Sequence, residues 1–530
     1  MELKQRRTIL DLKSQEARDF LMRSESYCTF ELPQYFDFQL ILDDARDILQ
    51  QNKNKINNCC KVKAGDQTEE KQTEDRVCYG HYPEVNYNLI CNKRDLYDWR
   101  GLQLIHPLLY VDLVYLITNK SHWGKLKKRF KELQHNAITV AAIPVVPNND
   151  NKNQQGEQIT NWTHEVQKQS LKCYLKYDYV TFADISNCYP SLYTHAIAWA
   201  VNGEESEKAR FTADSTMPKT IGNLIDERIQ RMSYNETKGI PQGSVVMDLI
   251  AELLLAYIDD KLVKALDSNL DYHIIRYRDD YRIFTDNQHT AELILKELTK
   301  TLMRFGWALN RDKTMVTKSS VNHAYKPDKL DAIQTGLKSE VRHYQQFSLS
   351  ETEAEELLIR ILNFSQRHKN SNQLKSLLVS YRKALVQNKI NDVEALICIT
   401  TEIAYHAPCA YPQAVALLST LMEQLPDETK AEYLDSVLKK FKMLPQIDFL
   451  EIWLQRLRLK INKKDQRASE VLICQKAQDT NVQLWNSEWL QDEIKERIEN
   501  CPIVNQQLVE KLNFVISQEE VDCFAHSYDE

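Results

Sequence analysis

The stretch "HIIRYRDDYRIF", residues 273–284, sets two adjacent aspartates between two runs of β-forming residues. Two short strands meeting there would form a hairpin, and turns favour Asp. Hairpin turns more often use Asn-Gly or Asp-Gly than Arg-Asp-Asp. Two neighbouring carboxylates do not both stay ionised cheaply without a counter-charge. The stretch therefore reads either as an unusual surface turn or as a pair, Asp279 and Asp280, that shares a cation.

The flanking sequence bears on that choice. "YVTFAD", 179–184, reads as a strand ending on Asp184, followed by a turn and a helix. "GIPQGSVVMDLIAELLLAYIDDKLVKAL", 239–266, opens with a turn and continues as a helix with an apolar face. "AELILKELTKTLMRFGWALNRDKTMVT", 291–317, reads as a helix, a strand and a basic turn. Strands and helices in this order make an α+β segment, not a βαβ ladder. A hard divalent ion prefers oxygen ligands and is typically held by one or two carboxylates plus substrate phosphates. Asp184, at a strand end, supplies a third carboxylate beside Asp279 and Asp280. Two metals in such a site would activate an attacking hydroxyl and stabilise a leaving pyrophosphate. Each aspartate taken alone reads equally well as a solvated turn residue or a helix N-cap. The joint pattern, in this order within one segment, favours the site.

Composition narrows the partners. The chain of 530 residues is 43% hydrophobic and 27% charged, as expected of a soluble protein of several domains. Its formal net charge of -7 excludes a global basic field, so nucleic acid would need a local basic groove. The 12 cysteines are scattered with no C-x-x-C, which argues against a zinc ribbon or a disulfide framework and suits a reducing cytosol. "MELKQRRTILDLKSQEARDFL" lacks an apolar signal region, and no long apolar run reads as a membrane span. The expectation is a cytoplasmic protein with no membrane partner.

Three regions follow. Residues 1–85 read as an N-terminal helical segment with a polar insert at 51–80. Residues 86–325 carry the α+β segment, with a second polar loop at 148–160. Residues 326–530 read as an all-α region. In it, "PQAVALLSTLMEQL" places Val415, Leu418, Met422 and Leu425 on one helical face behind Pro412. Helix-sized segments recur there without a strict repeat, in the manner of an α-solenoid.

The chain resembles the reverse transcriptase family. "FADISNCYPSLY" is similar to its motif A, "GIPQGSVVMDLIAELLL" to motif B, "YRDD" to motif C and "ALNRDKT" to motif D. Y-x-D-D alone is a weak signature; the four in order are specific. The variants look most like bacterial defence-associated enzymes, including abortive-infection types with a helical-repeat C-terminal domain. The resemblance implies a right-hand-like fingers and palm core followed by an all-α, helical-repeat-like domain. It implies RNA-directed DNA polymerase activity in anti-phage defence, templated by RNA or template-independent. Asp184, Asp279 and Asp280 would bind Mg²⁺ or Mn²⁺, and Lys313 would neutralise or protonate the departing pyrophosphate. Tyr189 would exclude a 2′-hydroxyl. Gln242 and Gly243 would let backbone approach the nucleotide, and Arg100, helped by Lys93 and Arg94, would grip the triphosphate. Without the resemblance, Tyr189 reads as a core tyrosine, Gln242 and Gly243 as a helix-start turn, and Lys93, Arg100 and Lys313 as solvated charges.

The implied partners are dNTPs, an RNA template or dedicated noncoding RNA, a DNA product, and further copies of the chain through the helical region. Tail tyrosines such as Tyr528 offer hydroxyls for priming. Directly after "PQGS" many relatives place a small residue and Pro; here "VVMD" follows, and its Asp248 would reshape the template side or form a salt bridge. "KLKKRFK", 125–131, would meet a nucleic-acid backbone or form a solvated helix face. No ribonuclease H pattern is present in the tail. The rival reading is a catalytically idle RNA-binding scaffold that works through its helices.

Overall fold

The computed structural model describes residues 7–62, 76–94, 96–147, 154–213, 218–388, 390–461, 469–479 and 481–522. Tyr528 and residues 63–75 of the polar insert lie outside the described residues. The seven strands are β1 (Tyr87–Asn92), β2 (Trp99–Leu104), β3 (Ile138–Val140), β4 (Tyr179–Asp184), β5 (Tyr272–Tyr277), β6 (Asp280–Thr285) and β7 (Met315–Lys318). β1 and β2 form an antiparallel hairpin of their own. The others build one sheet in the order β3-β5-β6-β4-β7, antiparallel except for the β3–β5 pair. The strand expected around "GWALN" reduces to one isolated bridge, Ile185 to Leu309. The turn glycine Gly306, at φ +77°, and the tight basic turn Arg311–Lys313 leave little extended chain between them.

Helices cover the sheet. Gln288–Arg304 lies against β4, β6 and β7, and Gln154–Tyr174 against β5. The latter begins inside the stretch expected to be a polar loop. The helix Val245–Ala265 was expected to have one apolar face, but it is buried nearly all round. Neighbours cover it on several sides, including His195–Asn202 and Gln288–Arg304. A helix apolar around its whole circumference belongs inside a core rather than on its surface.

Beyond Lys318 no strand follows among the described residues. The helices Glu351–Arg367 and Glu394–His406 pack on each other, as do Asn372–Gln387 and Tyr411–Met422, so alternate helices stack. The last of these again departs from the expected amphipathic face, for every residue from Tyr411 to Met422 is buried. Its polar side is covered by the chain's end: Gln413 donates to the Val521 carbonyl at 2.8 Å and Ser419 accepts from the Ile516 N–H at 3.0 Å.

The all-α region is not a simple appendage. Leu484, Trp485, Trp489, Leu490, Ile503 and Val504 join the same core as the first residues of the chain, apart from the core of the stacked helices. Trp485 donates to the Leu104 carbonyl at 3.0 Å, and His106 meets Ser487 at 3.2 Å. Arg497 pairs with Asp44 at 2.7 Å, and single bridges join Cys60 to Leu490 and Phe36 to Val504. Two tryptophans carry large apolar areas, which explains why this late segment turns back to the earlier core. No described helix is long and apolar enough to cross a membrane.

Candidate active site

Strand geometry assembles the carboxylates. β4 and β6 pair with Asp184 opposite Asp280, while Tyr277 of β5 also faces Asp280. The Ile185 N–H donates to the Asp279 carbonyl at 3.0 Å, locking the end of β4 to the hairpin tip. Arg278 and Asp279 alone connect β5 to β6, and Arg278 adopts φ +53°. A left-handed conformation costs a residue with a side chain roughly 1–2 kcal/mol. An ion pair offsets it, Arg278 Nη2 to Asp248 Oδ2 at 2.7 Å. Past β4, Asn187 takes φ +48°, which Asn tolerates well, and the chain turns into the short helix Cys188–Ser191 that carries Tyr189.

The electrostatics of this corner are unbalanced. Asp184 is buried, at 5% exposure, while Asp280 sits at the solvent-facing mouth of the cleft. Desolvation by the surrounding protein, then the charge of Asp184, raise Asp279 above the usual carboxylate range. Desolvation, then the charge of Asp279 and a hydrogen bond with Asp184, push Asp280 up to about 7. Lys313 Nζ contacts Asp184 Oδ2 at 2.5 Å, so the lysine of the basic turn is engaged with a carboxylate. Alongside lies a cavity of about 610 Å³, lined by Asp184, Asp280 and Lys313 and by apolar or aromatic groups such as Phe182, Tyr277 and Tyr325.

Three carboxylates with no His or Cys among them suit a hard divalent cation. Burial first and then the neighbouring carboxylate raise two of them, and a bound cation would offset both effects. The three are not gathered into a preformed cage, however. Among the described residues no group of three or more His, Cys, Asp or Glu is arranged to hold a metal ion by itself. The site is an open one, in which one or two carboxylates and substrate phosphates would share the coordination.

The other expected residues divide. Tyr189 is buried, 7% exposed, and its hydroxyl donates to Asp248 Oδ1 at 2.5 Å. The Ile240 N–H donates to the Tyr189 carbonyl at 3.1 Å, so the "GIPQGS" turn lies against it. Gln242 accepts from the Gln103 N–H at 2.8 Å through its carbonyl, and Gly243 accepts from the Thr29 N–H at 2.9 Å. At Gly243, φ is +135° and a Cβ would meet the Gln103 carbonyl and the Phe30 ring at 3.2 Å, so only glycine fits without displacement. The Gln103 bond docks the β1–β2 hairpin on the turn, and the Thr29 bond ties the turn to the N-terminal segment. Lys93 and Arg100 lie on that hairpin. Burial, then the charge of Arg100, lower the pKa of Lys93; its counter-ion Asp98 opposes this, and Lys313 and Arg94 add to the lowering. Lys93, Arg94, Arg100 and Lys313 thus form one basic neighbourhood beside the carboxylates. No contact joins Arg100 to the carboxylates themselves. "KLKKRFK" turns partly inward: Arg129 donates to the Ala200 carbonyl at 2.6 Å and Lys127 to that of Leu12 at 3.1 Å.

Sequence reasoning passed over a second charged group below the sheet. Arg276 of β5 is 0% exposed and pairs with Glu252 at 2.9 Å and Asp259 at 2.7 Å, while Tyr281 donates to Asp259 at 3.1 Å. It ties the helix Val245–Ala265 to the hairpin that carries Asp279. Its signal was present: Glu252 and Asp259 stand seven residues apart, two helical turns, on one face of a largely apolar helix.

With this geometry in hand, residues 124–331 match the family described as reverse transcriptase (RNA-dependent DNA polymerase). That segment is similar to reverse transcriptase domains. It spans β4 to β7 and so contains every carboxylate of the cleft, while the β1–β2 hairpin precedes it. The chain is 29% identical over 86 residues to telomerase reverse transcriptase of Takifugu rubripes, and 29% identical over 89 residues to that of Canis lupus familiaris. These matches cover 16% and 17% of this chain but only 8% of each relative. Among solved structures, apo telomerase from Candida tropicalis aligns with 78% of this chain and 72% of its own at 12% identity and a TM-score of 0.28. Telomerase from Candida albicans in complex with a fragment of telomeric RNA aligns over 77% and 70% at 12% identity and a TM-score of 0.29. Likeness that distant adds nothing to the assignment of the reverse transcriptase domain.

Proposed function

We propose that this protein is an RNA-directed DNA polymerase, adding deoxynucleotides to a DNA strand at the cleft between β4 and the β5–β6 hairpin. The observation that carries this reading is the placement of Asp184, Asp279 and Asp280 side by side at the ends of paired strands, within the reverse transcriptase domain. Asp184 and Asp279, supported by Asp280, would hold Mg²⁺. Bound there, divalent metal supplies charge neutralisation and an activated hydroxyl for in-line phosphoryl displacement. Lys313, held against Asp184, is placed to neutralise a departing pyrophosphate once phosphates compete for it. Arg100, Lys93 and Arg94 would receive the triphosphate, Gln242 and Gly243 would present backbone beside the nucleotide, and Tyr189 would wall the sugar. The β1–β2 hairpin plays the fingers and the five-stranded sheet the palm, with the stacked helices as a separate working surface for RNA or for further copies of the chain.

Primer extension on an RNA template tests the reading. Wild-type protein should incorporate dNTPs with Mg²⁺ and lose incorporation on chelation, and Asp279→Ala or Asp280→Ala should abolish it. Folded wild-type protein that binds RNA but extends no primer, with or without a template, would leave a scaffold instead. The resemblance of the four motifs to defence-associated enzymes supports a cytoplasmic role against phage. A plaque assay in which Asp279→Ala protects as well as wild type would remove that role.

A further inference from the structure

Resting on the polymerase reading, one contact of the cleft goes beyond it. Asp248, near the start of the helix Val245–Ala265, places its two oxygens on two different catalytic elements. Oδ1 accepts the Tyr189 hydroxyl at 2.5 Å, and Oδ2 accepts Arg278 Nη2 at 2.7 Å. Tyr189 follows β4, and Arg278 is the left-handed turn residue directly before Asp279. A single carboxylate therefore bridges the wall of the sugar pocket and the turn that aims a metal ligand. The Tyr189 ring packs in the core and this bond fixes where its hydroxyl ends, while Arg278, a non-glycine residue at φ +53°, is strained. A carboxylate accepting from a phenol and from a guanidinium makes two charge-assisted bonds, the stronger class of protein hydrogen bond.

We propose that Asp248 is the positioning residue for sugar discrimination, holding the Tyr189 ring and the Arg278 turn in one register so that a 2′-hydroxyl at the pocket wall also misplaces Asp279. Asp248 touches neither substrate nor metal in this scheme. It acts through Tyr189 and Arg278. Loss of either bond uncouples the Tyr189 wall from the Arg278 turn, and the penalty on ribonucleotides should fall while deoxynucleotide turnover changes less.

The test is steady-state primer extension by the full chain with each dNTP and its NTP, for wild type, Tyr189→Phe, Asp248→Asn and the double variant, with Asp279→Ala as the inactive control. Each single variant should lower the dNTP-over-NTP ratio of kcat/KM by about tenfold, mostly through a lower KM for NTP. The double variant should be no worse than the singles, because both remove the same bond. Arg278→Lys, which keeps a charge able to reach Asp248, should retain most of the ratio that Arg278→Met loses. A part that merely supported the fold would lower dNTP and NTP turnover together, leave the ratio in place and move the melting temperature. That result, or additive losses in the double variant, would overturn the proposal. Should Asp248→Asn not fold, Tyr189→Phe removes one hydroxyl and reads the same bond alone. Wild type that extends no primer at all would sink the polymerase reading and this one with it, whereas an active wild type with an unchanged ratio sinks this one only.

Discussion

Two groups of acids sit on either side of the β5–β6 hairpin, and they have opposite characters. Below the sheet, Glu252 and Asp259 close on one guanidinium, Arg276, with no access to solvent. At the strand ends, Asp184, Asp279 and Asp280 stand together, two of them, Asp184 and Asp280, lining a cleft, and Lys313 is paired with Asp184. Burial raises acids in both places, but below the sheet Arg276 pulls its two partners back. In the cleft the acids push one another further up. The first arrangement is closed off from solvent around one guanidinium and ties the hairpin to the helix Val245–Ala265. The second has charge left over, and that is what an external cation and a triphosphate can use.

Substitutions should separate the two groups. The largest effect is expected on activity from Asp279→Ala: incorporation should fall by on the order of a thousandfold or more, equivalent to about 4 kcal/mol of barrier. The same change should leave the urea midpoint level or higher, since it removes a crowded charge. The converse is Arg276→Met, which leaves two acids buried without their counter-charge and should cost about 3–5 kcal/mol of stability, read as a lower urea midpoint. Equal losses of stability from both variants would erase the distinction between platform and site.

A third buried group, uncharged, sharpens the comparison further. His106 is fully buried at the start of the helix Pro107–Ile117, and burial lowers its pKa from 6.5 to about 3. The unfolded chain takes up the proton first, so stability is full above the unfolded value and falls as pH drops from about 6.5 towards 3. The slope should approach about 1.4 kcal/mol per pH unit in that window. His106→Gln should flatten it, as measured by urea titration across pH. The smallest effect is expected at Asn187, whose φ of +48° joins β4 to the Tyr189 helix. Asn187→Ala should cost about 1 kcal/mol and Asn187→Gly less, on the same assay.

The site was legible where a residue's role follows from its position along a strand. Asp184, as the last residue of "YVTFAD", and the pair in "YRDD" each stand at a strand end, and antiparallel pairing of those strands brings the two ends together. Gly243 was legible for a similar local reason. The partner of Lys313 was not, since a lysine in a turn carries no signal of which acid it will reach. Asp248 read as either a wall residue or a salt bridge, and only packing joined it to Tyr189 and Arg278. Helical faces were misjudged at Val245–Ala265 and Tyr411–Met422 because periodicity shows where apolar residues lie, not how many neighbours cover them. Nor does local pattern reveal that Trp485 and Trp489 return to the core around His106.

The amino-acid order by itself determined the strand-end carboxylates, the tight glycine turn and the mixed class of the central segment, because these depend on neighbours within a few residues and on backbone pairing. Tertiary structure alone decided which acids are neutralised, which helices are enclosed and where the late tryptophans lodge. Those outcomes depend on contacts between residues far apart in the chain, whose free energy exists only once the core has formed.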